Sequence, residues 1–169
     1  MKKLLPDMIF QSVKEISAEF LIKEGKKGII FDIDDTLLSH TIKTVPKETK
    51  EYINSLRDNK IKIALVSNGS HERVRSISEQ LGLFAKAKAG KPKKAALENC
   101  IKNLNLAKEQ IVFVGDQIFT DILCAKRNQI SGYLVKPIDR YENPFFYIKR
   151  LFEKPVLKKY YKMQKNKKK

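Results

Sequence analysis

The feature that most constrains the fold of this chain is the recurrence of short, β-branched apolar runs separated by longer stretches with helical spacing. Gly28 to Ile33, Ile61 to Val66, Ile111 to Val114 and Gly132 to Val135 are the clear runs, and Phe84 to Ala89 is a weaker fifth. Near-continuous apolar runs belong to strands covered on both faces, as in parallel sheets. Between them, Lys47 to Asn59, His71 to Leu81, Pro92 to Leu104 and Ile118 to Asn128 place apolar residues at helical intervals, and Pro92 suits a first helical turn. Repeated strand-helix-strand units predict an α/β fold: a five-stranded parallel sheet with helices on both faces. Leu4 to Glu24, ahead of the first run, is expected to add one or two helical turns outside the sheet.

A length of 169 residues suits one core and leaves no room for two. The 35 basic and 19 acidic side chains give a net charge of +16, unevenly spread. Residues 1–140 carry 25 basic and 17 acidic groups, net +8, and residues 141–169 carry 10 and 2, again net +8. This divides the chain into a single domain over 1–140 and a basic, amphipathic C-terminal extension over 141–169. In the extension, Phe145, Phe146, Tyr147, Ile148, Leu151, Phe152, Val156 and Leu157 are mixed with Lys and Arg. No apolar run reaches the ~18–20 residues of a membrane span, and Pro6 and Asp7 interrupt the N-terminal Leu pair. A cytoplasmic location is therefore expected. Cys100 and Cys124 form no metal-spaced pair and read as reduced packing residues.

Polar groups cluster where the expected strands end, the edge at which open parallel sheets bind ligands. The first strand runs into Asp32-Ile33-Asp34-Asp35-Thr36, the second into Ser67-Asn68-Gly69, and the fourth into Gly115-Asp116 followed by Asp121. Residues i and i+2 of an extended segment face the same way, so Asp32 and Asp34 can address one pocket. Carboxylates gathered there repel one another unless a cation joins them, and an all-oxygen set suits a hard ion such as Mg²⁺. Mg²⁺ beside a carboxylate nucleophile points to phosphoryl chemistry.

The series Asp32-x-Asp34-x-Thr36, Ser67-Asn68, Lys91-Pro92 and Gly115-Asp116 with Asp121 resembles the four ordered motifs of the haloacid dehalogenase (HAD) superfamily of phosphatases, over about residues 28–136. More narrowly, Leu5-Pro6-Asp7, Gly28-Ile29-Ile30-Phe31 and Gly115-Asp116-Gln117-x-Phe119-Thr120-Asp121 are similar to the YqeG-type enzymes of subfamily IIIA, relatives of phosphatidylglycerophosphate phosphatases. The resemblance implies a Rossmann-like HAD core and a role for each motif residue. Asp32 would be the nucleophile that forms an aspartyl-phosphate, and Asp34 would protonate the leaving alkoxide and then activate water. Ser67 and the backbone N–H of Asn68 would hold a phosphoryl oxygen, and Lys91 would bridge Asp32 and the phosphate. Mg²⁺ would be held by Asp32, Asp116 and the backbone carbonyl of Asp34, with Asp121 ligating through water or anchoring the loop. Thr36 would brace the turn. Asp35 stands where the family often has Asn.

Simpler readings stand beside these. Asp121 alone reads more readily as a cap, Asp35 faces or caps its loop, and His71 faces solvent at a helix start. His40 receives no role. Lys86, Lys88, Lys93 and Lys94 around Lys91 serve equally as a second anion site or as a solvated face. Only 35 positions separate Asp32 from Ser67 and 24 separate Ser67 from Lys91, so no cap domain fits and the site is expected to be capless. An open site relies on a large substrate to exclude water. With the resemblance, this favours a phosphomonoester on an anionic phospholipid, phosphatidylglycerophosphate, reached by peripheral contact of the basic C-terminus with the inner face of the membrane. A phosphatase of nucleic-acid ends or phosphoproteins is the alternative, weakened by the lack of aromatic groups around the site. A non-enzymatic basic nucleic-acid-binding or scaffolding domain is the alternative of another class. With 29 Lys against 6 Arg, the charge could equally reflect genome composition.

Overall fold

The computed structural model describes residues 4–139 and the backbone of residues 144–167, with side chains in that last segment from 151 to 166. In chain order the elements are β1 (Met8–Phe10), α1 (Ala18–Lys23), β2 (Gly28–Phe31), α2 (Lys47–Asp58), β3 (Lys62–Val66), α3 (His71–Leu81), β4 (Phe84–Lys86), α4 (Ala95–Leu104), β5 (Ile111–Gly115), α5 (Leu123–Asn128), β6 (Ser131–Val135) and α6 (Pro144–Lys167). The sheet has six strands in the order β1-β6-β5-β2-β3-β4, and every neighbouring pair is parallel.

Strand β2 occupies the middle because its run Gly28–Phe31 is buried on both sides. Ile29 and Phe31 join one core with Leu21 of α1, Ile53 and Leu56 of α2, and Val74 and Ile77 of α3. Ile30 joins the other, with Leu97 and Ile101 of α4 and Ala125 of α5. Fully burying a residue such as Phe31 contributes about 1.5–3 kcal/mol, so the alternation along one short strand commits helices to both faces. Chain order reverses at β2, whose neighbours are β3 and β5. This leaves a crevice at the carboxyl ends of those strands.

Four sequence expectations need correction. The sheet gains a sixth strand, β1, from a stretch expected to be helical. Met8–Phe10 pairs with Tyr133–Val135, and Asp7 anchors it by accepting the Gly132 N–H at 2.7 Å. The weak fifth run is a strand only from Phe84 to Lys86, because the chain then turns through Lys88 and Gly90, both at positive φ. The helix expected from Pro92 begins at Ala95, since residues 91–94 form a turn. The helix expected over Ile118–Asn128 opens as a π-turn at Ile118–Ile122 before α5.

Helix α6 is seated on the sheet. Val156 is buried with Leu5, Ile118, Ile122 and Leu134, and the Glu153 carboxylate, 2% exposed, accepts the N–H of Ile118 at 2.7 Å. Leu151, Phe152, Tyr161 and Met163 face outward. The side chains of Phe145, Phe146, Tyr147 and Ile148, and the division expected at residues 140/141, lie outside the described residues.

Candidate active site

The acidic groups expected at the strand ends are brought together at the β2/β5 crevice. Asp32 follows β2 directly and donates its N–H to Val114 of β5 at 2.9 Å, while Asp116 follows β5. Asp121 comes from the π-turn, whose wider helical step points its carboxylate back at the strand end, where it accepts the Gln117 N–H at 3.0 Å. One oxygen from each of Asp32, Asp116 and Asp121 lies within 4.8 Å of the others, and all three residues are buried. Gly115 makes this approach possible, since a Cβ there would collide with the Asp121 carboxyl group.

Lys91 reaches the same cluster from the β4–α4 loop. Its ammonium lies 2.6 Å from Asp32 Oδ1 and 2.7 Å from Asp121 Oδ1, with its side chain 3% exposed. The Asn68 side chain fixes the loop by accepting the Lys91 backbone N–H at 2.9 Å. Burial works against the Lys91 charge, but the ion pairs with Asp121 and Asp32 outweigh it and hold the ammonium above its ordinary pKa. Burial pushes the Asp32 carboxyl well up, opposed by Lys91 and reinforced by Asp121 and Asp116. One lysine among three carboxylates leaves net negative charge in a buried place, and a hard divalent cation fits that all-oxygen donor set. Thr36 Oγ1 lies between Asp116 Oδ1 at 3.3 Å and Asp32 Oδ2 at 3.5 Å, bracing the turn.

Asp34 does not join this cluster. Its carboxylate accepts instead from Ser67 Oγ at 3.2 Å and from Arg73 Nε at 2.7 Å. Ser67 Oγ also accepts the Gly69 N–H at 2.9 Å, at the turn from β3 into α3. Asn68 is exposed, as are His71, Lys88, Lys93 and Lys94, while Lys86 is half-buried over the Phe84 ring.

Two participants escaped the sequence reading. Arg73, on the first turn of α3, binds Asp34 and also donates to the carbonyls of Ile42 at 2.6 Å and Ser39 at 3.0 Å, so it ties the loop after β2 to the site. Glu153 braces the loop between Asp116 and Asp121 through the Ile118 N–H. Asp35, at φ 59, is buried and accepts a hydrogen bond from His40. That bond holds the imidazole protonated to higher pH than usual.

Residues 40–128 match the family model of the haloacid dehalogenase-like hydrolases. A Bacillus subtilis protein named "Probable phosphatase YqeG" is 35% identical over 137 residues, spanning 81% of this chain and 80% of its own. The chain belongs to the haloacid dehalogenase-like hydrolase family. It is an enzyme of that family's phosphatase type. The Arabidopsis thaliana phosphatidylglycerophosphate phosphatase 1, chloroplastic/mitochondrial, is 25% identical over 151 residues, covering 84% of this chain and 43% of that protein. The fold is shared with solved 3-deoxy-D-manno-octulosonate 8-phosphate phosphatases. That of Yersinia pestis has a TM-score of 0.53 at 16% identity, covering 68% of this chain and 66% of its own. The cobalt-bound Haemophilus influenzae deoxy-D-mannose-octulosonate 8-phosphate phosphatase has 0.51 at 19%, covering 68% and 80%.

Proposed function

We propose that this phosphatase is Mg²⁺-dependent and hydrolyses a phosphomonoester through an aspartyl-phosphate on Asp32. The observation that carries the proposal is the partition of two carboxylates two residues apart: Asp32 is buried against Lys91 and the Asp116–Asp121 pair, while Asp34 is held separately by Ser67 and Arg73. The separation divides the labour. Asp32 attacks phosphorus, forming the new P–O bond as the bond to the leaving alkoxide breaks, and Asp34 in its acid form gives that alkoxide a proton. Asp34, now a carboxylate, takes a proton from the water that attacks the aspartyl-phosphate, releasing inorganic phosphate and restoring Asp32. Ser67 Oγ and the Asn68 N–H hold a phosphoryl oxygen, and Lys91 orients Asp32 while offsetting charge in a water-poor site. Asp32, Asp116 and the backbone carbonyl of Asp34 would hold the Mg²⁺, with Asp121 behind them; when bound, the ion neutralises charge on nucleophile and phosphate.

For the substrate we infer a phospholipid headgroup of the phosphatidylglycerophosphate kind. The named activity of the Arabidopsis relative supports this. The joins between β2 and β3 and between β3 and β4 contain one α-helix each, so no inserted domain covers the crevice. Helix α6 adds a surface that suits a membrane: Leu151 and Phe152 are exposed just ahead of Glu153, which meets the active-site loop, and are followed by exposed Lys154, Lys158, Lys162 and Lys165. Basic residues near an anionic bilayer contribute about 1 kcal/mol each. No helix among the described residues is long and apolar enough to cross a membrane, in keeping with peripheral contact from the cytoplasmic side.

Phosphate release measured on vesicles carrying phosphatidylglycerophosphate, on 5′- and 3′-phosphorylated oligonucleotides and on phosphopeptides tests the substrate. The vesicles should be hydrolysed fastest in Mg²⁺ and not in chelator. Faster turnover of oligonucleotides would replace the lipid with a nucleic-acid end. Because Glu153 and Val156 are buried, the membrane surface is better probed with Phe152→Glu than by deleting the helix.

A further inference from the structure

A second convergence of metal-ligating groups lies on the rim of the crevice, outside the machinery assigned above. Asp35 and His40 stand in the loop after β2 and Asp139 in the loop after β6, and one ligand atom of each lies within 4.8 Å of the others. His40 Nδ1 is 3.1 Å from Asp35 Oδ1 and 3.2 Å from Asp139 Oδ2. A ring nitrogen carries at most one proton, so it reaches two carboxylates only by dividing one hydrogen bond between them. The same spacings are those imposed by a small cation, since bonds of about 2.0–2.1 Å in a tetrahedral site set ligands roughly 3.3 Å apart. The side chain of Asp35 is 6% exposed, that of Asp139 32% and that of His40 54%. An ion here would be anchored from the protein side and open to water on the other. Ser39 Oγ, which bonds Asp139 Oδ2 and lies 2.8 Å from Thr41 Oγ1, orients the most exposed carboxylate as an outer-shell partner does.

We propose that Asp35, His40 and Asp139 form a second cation site, separate from the Asp32–Asp116–Asp121 cluster, that takes a transition ion of the Zn²⁺ class. The imidazole makes the distinction: an all-oxygen set suits Mg²⁺, whereas a mixed nitrogen and carboxylate set favours Zn²⁺ or Co²⁺. The Ile138 N–H already donates to the Asp35 carbonyl at 2.9 Å, joining the two loops. The ion adds a second tie between them. A cleft of about 420 Å³ lies between these loops, walled by Thr36–Ser39 on one side and Lys136–Ile138 on the other. The ion therefore joins the two loops that wall this cleft.

The test is metal content, which does not depend on turnover. The full-length chain, stripped with chelator, is equilibrated with about two equivalents of Zn²⁺ in millimolar Mg²⁺, passed through a desalting column and assayed for zinc. One Zn²⁺ per chain should be retained by the wild type and by Asp116→Asn. His40→Gln and Asp139→Asn should each weaken binding by more than the roughly 10–100-fold that loss of an outer-shell partner costs. The chain has one other imidazole, His71, and His71→Gln should retain the ion. Co²⁺ should give the visible absorption of a tetrahedral nitrogen and oxygen site in the wild type and not in His40→Gln. Matching melting curves of wild type and His40→Gln in chelator establish that the variant folds. Failure of the wild type to retain Zn²⁺, loss of zinc in Asp116→Asn with retention in His40→Gln, or an unchanged Co²⁺ spectrum in His40→Gln would each overturn the proposal.

Discussion

Two clusters of carboxylates flank the end of β2, built from side chains only three residues apart along the chain, and their surroundings make them different. Asp32 points into the crevice, where Asp116, Asp121 and Lys91 are all buried. Asp35 points the other way, toward a half-exposed imidazole and Asp139. In the first, water is excluded, so charges act strongly on each other and on whatever phosphate enters. In the second, solvent reaches the imidazole, interactions are screened, and the group is suited to holding loops rather than to chemistry. The chain thus places two sets of similar residues side by side, and burial separates them.

Substitution of the two aspartates gives the largest contrast. Asp32→Asn should lower hydrolysis of p-nitrophenyl phosphate by at least about 1000-fold, as loss of a nucleophile does, while Asp35→Asn should cost less than about tenfold. Equal losses would mean that the rim cluster also reacts. Gly115→Ala should be next, because a Cβ meets the Asp121 carboxyl group. Overpacking of this kind costs about 1–3 kcal/mol, read as a melting temperature lowered by roughly 2–4 °C per kcal/mol in a chain of this size. A variant as stable and active as the wild type would show that the Asp121 loop is free to move.

Arg73→Lys tests the tie between Asp34 and the loop after β2, since Arg73 binds Asp34 and the carbonyls of Ser39 and Ile42 at once. Lysine cannot reproduce that fork. Turnover should fall by about one order of magnitude, with more of the loss in kcat than in KM, and a fall confined to KM would make Arg73 a substrate contact instead.

The smallest effect concerns the protein interior behind the buried cluster. Burial pushes the Cys124 thiol up to about 11 and the Cys100 thiol up to about 12. The folded state therefore keeps protons that the unfolded chain loses near pH 9, so the thiols' contribution to stability is full below that pH and is lost as pH rises through 11–12. Neither thiol should react with a disulfide reagent at pH 8 until denaturant is added. Prompt reaction of Cys124 in the native state would show that water reaches the floor of the site.

Strands β2, β3, β5 and β6 were legible because each is a dense apolar run, and α2 and α3 because their periodicity is complete. Strand β1 was not, since three residues carry no measurable period and Met8–Phe10 becomes a strand only by pairing with β6. The convergence of Asp32, Asp116 and Asp121 could be anticipated because each follows a recognisable strand, whereas Lys91 was placed there only by the family resemblance of its motif. Arg73 and Glu153 could not, because their partners Asp34 and Ile118 lie 39 and 35 residues away and nothing local marks them. Asp139 met His40 across still more chain.

Sequence alone determined that the chain would form a parallel sheet with acidic groups at its carboxyl edge, because side-chain spacing and strand termini are local properties. The tertiary structure decided which carboxylates are buried together and which face a histidine in solvent. Burial and charge pairing depend on strand order and on how loops pack over the strand ends, and these are set by contacts between residues far apart in the chain.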